Sequence, residues 1–188
     1  GGQGLDLQIS TGGQLSDWER VFKYAVPTIV DVNPPQAAMG DHVTVTGNNF
    51  GNNHTLCSLQ LNGKVIPKSS FDLTKLHTEI VFVVPIGVGA DLEVEINVPL
   101  ESSNTRWSQN SVVDPDCCNG TSVTMSYPPP VVYSASAGST LGGNITIYGT
   151  NFGPVGSDHI DLLKVVGAND CRNPVVTVPN SEFFCFVV

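Results

Sequence analysis

Charge is the first thing this chain is short of. Of its 188 residues only 13% are Asp, Glu, Lys or Arg, against about 25% in an ordinary soluble protein. The eight Lys and Arg are scattered and are outnumbered by seventeen Asp and Glu, giving a net charge of -9 and a pI near 4.6. Nucleic-acid binding requires clustered cations, so the balance argues against that class, and against an anionic membrane surface with it. Long apolar runs are also lacking: none approaches the roughly 18 to 20 residues of a membrane span. No window sustains a period near 3.6, so helix is expected at most as a turn around Ser16 to Arg20.

The residue patterns that announce chemistry are missing too. The four histidines, His42, His54, His77 and His159, have no metal-ligand spacing, and the five cysteines have no paired CxxC. A Gly-x-Ser-x-Gly elbow is absent, so nucleophilic hydrolysis has no anchor. Gly87-Val-Gly89 lacks the helix and the Lys of a phosphate loop. Asp158 and Asp161 could share a cation near one turn, but two loop carboxylates ordinarily just face solvent. Neither an enzyme nor a cofactor or metal site is expected.

What the chain does have is a repeat. Pro27-Thr-Ile-Val-Asp-Val32, followed by Gly40-Asp-His-Val-Thr-Val-Thr-Gly-Asn-Asn-Phe-Gly51, returns as Pro129-Pro-Val-Val132 and Gly142-Gly-Asn-Ile-Thr-Ile-Tyr-Gly-Thr-Asn-Phe-Gly153, 102 positions after Gly40. Internal repetition decides architecture before local motifs do. Short β-branched or alternating runs with turn signals between them predict strands at 28–32, 42–46, 58–61, 79–84, 92–98 and 122–127. A second set falls at 131–134, 144–148, 160–165, 175–178 and 182–188. Many short strands at this spacing predict an all-β chain of sandwiches. In each Asn-Phe-Gly turn, Asn and Gly can adopt positive φ for a sharp strand exit while Phe50 or Phe152 folds back as a plug.

These residues resemble the IPT/TIG domain, the immunoglobulin-like fold shared by plexins and transcription factors. The first copy follows the family pattern throughout: Pro27, Ile29, Val32 and Pro34, then Gly40 to Gly51, then Val84-Pro-Ile-Gly87-Val-Gly89, then Asp91 to Val98. The resemblance extends over nearly the whole chain and implies tandem immunoglobulin-like sandwiches. It is specific to a fold and not to a function; the DNA-binding use of that fold is disfavoured by the charge.

The second copy departs from the family by stopping at Phe186-Val-Val188, where a Gly-rich turn and two more strands would follow. Those pieces stand at the other end of the sequence. Gly1-Gly-Gln-Gly4 reads as the turn, Leu5 to Ile9 as a strand matching Leu92 to Ile96, and Val21 to Tyr24 as the last strand, with Tyr24 three residues before Pro27 as Tyr127 is before Pro130. Trp18 matches Trp107, after which the first copy carries an insertion at about 108–121. Three parts are therefore expected: 1–26, the closing strands of a TIG-like domain; 27–128, a complete domain; and 129–188, a domain lacking its last two strands. The opening residues are neither an initiator Met nor a signal peptide, so the stretch reads as cut from something longer. A sandwich short of two strands exposes its core and its edges. Completion would bring Leu5, Leu7, Ile9, Phe22 and Tyr24 of one copy to Phe184, Phe186 and Val188 of another, along a covalent array or by strand exchange between subunits. A head-to-tail contact that does not close into a ring grows a filament. An arbitrary fragment of a large receptor is the blander alternative.

The resemblance also implies a disulfide between Cys171 and Cys185, positions that TIG-like modules commonly bridge. Val81 or Phe82 fills the place of Cys185 in the first copy, so Cys57 is expected to pair with Cys117 or Cys118 from the insertion, leaving one thiol free, vicinally bonded or available to another chain. Asn53, Asn119 and Asn144 each begin an Asn-x-Thr glycosylation acceptor. Cysteines, sequons and low charge together point to an extracellular setting, with N-linked glycans as partners. Three functions fit. One is a self-assembling structural glycoprotein joined head to tail with copies of itself. Another is a cell-surface recognition or adhesion ectodomain, like the TIG stalks of plexins or of social-amoeba adhesion proteins. The third is a carbohydrate-binding accessory domain that uses Trp18 and Trp107.

Overall fold

The computed structural model describes residues 5–22, 25–52, 57–98, 123–138, 141–156, 160 and 171–187. These are strands and turns, with a single 3₁₀ turn at Lys68–Ser70. The chain divides into two compact units whose bounds cut across the repeat: 1–33, 43–82 and 93–124 in one, 34–42, 83–92 and 125–188 in the other.

The first unit opens with a bent hairpin. Strands β1 (Leu5–Leu7), β2 (Ser10–Thr11), β3 (Gln14–Leu15) and β4 (Glu19–Phe22) pair antiparallel, β1 with β4 and β2 with β3. Gly12 and Gly13, at φ +55° and +79°, close the tip, a two-residue turn that needs positive φ at both positions. The turn of helix expected around Ser16 to Arg20 is not there. Ser16 instead bonds across the hairpin, its N–H to the Ile9 carbonyl (2.9 Å) and its Oγ accepting from the Ile9 N–H (3.0 Å), which leaves 19–22 extended.

The complete sandwich is built from two four-stranded sheets. One has the order β5 (Thr28–Asn33), β6 (His42–Asn48), β10 (Glu79–Val83), β9 (Phe71–Lys75); the other is β12 (Val123–Met125), β11 (Leu92–Asn97), β7 (Ser58–Leu61), β8 (Lys64–Val65). Alternation selects the inward residues: Val43, Val45, Ile80 and Phe82 from the first sheet, Leu59, Leu61, Val94, Ile96 and Met125 from the second, all buried. Phe50 plugs this core and is fully buried.

In the second unit the third sheet runs β13 (Val131–Ala135), β14 (Gly143–Thr150), β16 (Glu182–Val187), β15 (Arg172–Val178). It repeats the first sheet to the level of the bulge. Ile29 faces Gly47 and Asp31 faces Thr46, with a register shift between; Val132 faces Gly149 and Ser134 faces Tyr148, with the same shift. Asn49 donates from Nδ2 to the Val26 carbonyl, and Asn151 to that of Pro129, both at 3.1 Å. The Thr74 hydroxyl bonds the Glu79 carboxylate, and Thr177 that of Glu182. This last match makes Phe82 the counterpart of Cys185. Among the described residues the core on this sheet holds Ile147, Val176, Phe183 and Cys185, with Ile145, Phe152, Ile160 and Cys171 partly buried against it.

Candidate interaction surfaces

Inward positions of the repeat carry different burdens in its two copies. In the complete sandwich Val94, Ile96 and Met125 are 0%, 1% and 1% exposed, whereas their counterparts in the hairpin, Leu7, Ile9 and Phe22, are 44%, 58% and 44% exposed. On the first sheet Ile29 is 5% exposed; Val132, in the same register place on the third sheet, is 60% exposed. Val32 is buried and its counterpart Ala135 is exposed. Leu7, Ile9 and Phe22 on the hairpin, and Val132 and Ala135 on the third sheet, are thus exposed at repeat positions that are buried in the other copy.

Period 2 corrects the expected donor face on β16. Phe183 and Cys185 are buried in the core of this sheet, and Phe184 and Phe186 lie on the opposite side, Phe186 well exposed. The sequence hides this phase, because four of the five residues from Phe183 to Val187 are large apolar residues and only Cys185 breaks the run. Of the other expected contact residues, Leu5 lies on β1 opposite Phe22; Tyr24 and Val188 lie outside the described residues, as does Trp107, while Trp18 is exposed.

Cys171 and Cys185 are bonded, with Cα atoms 5.7 Å apart, tying the start of β15 to the middle of β16. Cys57 is buried and its thiol donates to the Phe50 carbonyl at 3.0 Å, fastening the plug turn. Burial pushes that thiol up. Cys117 and Cys118, expected as its partners, lie outside the described residues, as do Asn53, Asn119, Asp158 and Asp161. Asn144 is exposed on β14. Among the described residues no group of three His, Cys, Asp or Glu could hold a metal ion, and no helix is long and apolar enough to cross a membrane.

Tyr127 fixes the end of the complete sandwich. Its Oη–H donates to the Pro85 carbonyl (2.8 Å) and its N–H to that of Gly89 (2.9 Å). The ring lies so close to Gly87 that a Cβ there would stand 2.6 Å from the hydroxyl. The Gly-x-Gly element is therefore a seat for a tyrosine.

The family model described as the IPT/TIG domain matches residues 27–112. Residues 27–112 are an IPT/TIG domain. No curated protein matches the chain with significant sequence similarity. Among solved structures the chain is similar to a putative phosphatase from Bacteroides thetaiotaomicron, at 18% identity and a TM-score of 0.38, over 57% of this chain and 19% of that one. An auxiliary nutrient binding protein from the same organism matches at 13% identity and 0.38, over 57% and 22%. SGBP-B, from a complex xyloglucan utilization locus in Bacteroides uniformis, matches at 15% and 0.36, over 86% and 42%. The chain spans less than half the length of each of these proteins. Within the TIG domain lie the plug turn, the Gly87 to Gly89 seat and the buried Cys57, all of them structural features.

Proposed function

We propose that this protein is an extracellular structural module that assembles head to tail, the hairpin 5–22 of one copy closing the sheet 131–187 of the next. In this reading 27–128 is a self-sufficient TIG domain and 129–188 is one finished by its neighbour. The observation that carries it is the reciprocal exposure of Leu7, Ile9 and Phe22 on the hairpin and Val132 on the sheet, at positions whose counterparts in the complete domain are buried. A surface of that kind associates because covering apolar area returns about 25 cal/mol per Å², and strand addition supplies backbone bonds as well. The Cys171–Cys185 disulfide supports an oxidising compartment. The contact is heterologous, so where it does not close into a ring its product is an open chain of copies, covalently tandem or not.

The test is association measured on the purified chain by sedimentation over a concentration series, with electron microscopy of the product. Concentration-dependent, end-to-end chains are expected, and Leu7→Lys with Phe22→Lys should abolish them without lowering the unfolding midpoint of the complete domain. Monodisperse monomers at all concentrations that bind a cell-surface partner would overturn the reading in favour of a recognition ectodomain.

A further inference from the structure

The outward face of the third sheet, opposite the one that the hairpin would cover, carries an acceptor sequon and an exposed aromatic ring in one cross-strand row. Asn144 on β14 pairs directly with Phe186 on β16, and Arg172 on β15 pairs with Phe186 from the other side. Thr146, the hydroxyl residue of the sequon, pairs with Phe184. Directly opposed side chains in an antiparallel sheet have Cβ atoms about 4.5–5.5 Å apart. Asn144 is exposed, and Phe186 is 41% exposed, a large apolar surface left toward solvent. The other copy of the repeat is an internal control. His42 stands where Asn144 does and Val83 where Phe186 does, so in this cross-strand row the sequon and the ring occur together in one copy and neither occurs in the other.

We infer that Asn144 is N-glycosylated and that the first N-acetylglucosamine lies on the Phe186 ring. The co-reactant is a lipid-pyrophosphate-linked oligosaccharide. The Asn144 amide nitrogen attacks its anomeric carbon, a C–N bond forms as the C–O bond to pyrophosphate breaks, the amide proton passes to a base, and the lipid pyrophosphate leaves. A pyranose presents axial C–H groups of partial positive charge on one face, complementary to the negative face of an aromatic ring. Stacking there removes the exposed ring from water and shields the sheet against nonspecific pairing. Because this face is opposite the one closed by the hairpin, glycan stacking and head-to-tail association succeed or fail independently.

The experiment uses the full chain secreted from a eukaryotic host. Peptide mass spectrometry should find Asn144 occupied. After enzymatic trimming to a single N-acetylglucosamine, the acetyl methyl proton signal should be shifted upfield by the ring current, and this shift should be lost in Phe186→Val. Valine is chosen because Val83 holds the same place in the other copy. The sugar should raise the unfolding midpoint by about 4 °C relative to Thr146→Ala, which removes the sequon without touching Phe186, and by nothing measurable in the Phe186→Val background. An unmodified Asn144, or an occupied one whose methyl shift and midpoint are the same in both backgrounds, overturns the inference.

Discussion

Tyr127 shows how one residue can tie the segment after a strand to a neighbouring turn. Its ring is buried against Gly87 and its hydroxyl donates to Pro85. Burial raises its pKa above the ordinary tyrosine value, which is about 10. The folded protein therefore holds the phenolic proton to higher pH than the unfolded chain does. The stability this contributes is complete below about pH 10 and is lost as the pH rises through the folded value. Unfolding free energy measured from pH 8 to 11.5 should fall more steeply for the native chain than for Tyr127→Phe, which itself should lose about 1 kcal/mol at neutral pH. Parallel pH curves would refute a buried, donating phenol. Glycine acts at the same scale in the plug turns. A Cβ on Gly47 would stand 2.0 Å from the Thr28 carbonyl oxygen, and one on Gly149 equally close to that of Val131, so both strands can cross only at glycine.

At the scale of elements, the disulfide secures the third sheet. Cys171 precedes β15 and Cys185 lies on β16, 14 residues on. Closing a loop of about 15 residues contributes about 3 kcal/mol in the chain-entropy account. Reduction, or paired Cys171→Ala and Cys185→Ala, should therefore lower the denaturation midpoint of the 131–187 sheet and leave the TIG domain's transition in place; a shift of the TIG transition instead would contradict that assignment. Strand existence was legible wherever β-branched residues alternate, and β7, Ser58–Leu61, matches its expected bounds. What escaped were elements that bury little. Strand β9 is Phe-Asp-Leu-Thr-Lys, of which only Phe71 is buried, and β8 has two exposed residues. Strand β15 extends back past Pro174 to Arg172, readable in principle as an edge strand, since an edge tolerates a residue with no N–H to donate. The hairpin tip carried a Gly-Gly signal that the weak apolar content of its two-residue strands concealed. Which residues share a face is legible on the hairpin, where apolar and polar residues alternate, and is not on β16, where they do not.

For the whole molecule, the proposed assembly puts the two halves of one domain at opposite ends of the sequence. On that reading the closing hairpin precedes the TIG domain, and the sheet it would close follows it. A chain in which residues 1–26 are moved behind residue 188 would place both halves of the proposed core next to each other. Termini and loop tips tolerate such rearrangement when the backbone involved is exposed, as Ala25 and Val26 are. The permuted chain is expected to be a monomer at every concentration, with Leu7, Ile9, Phe22 and Val132 protected from solvent, and with the transition of the 131–187 sheet raised well above that of the parent. Intramolecular closure replaces a bimolecular contact, and an effective concentration in the millimolar range for a short tether exceeds any used in solution. The parent order, mixed with the permutant, should associate only with itself. Sedimentation and hydrogen exchange on the two chains side by side decide the matter: a permutant that still associates, or whose hairpin amides exchange as fast as the parent's, would show that the two exposed faces are not made for each other.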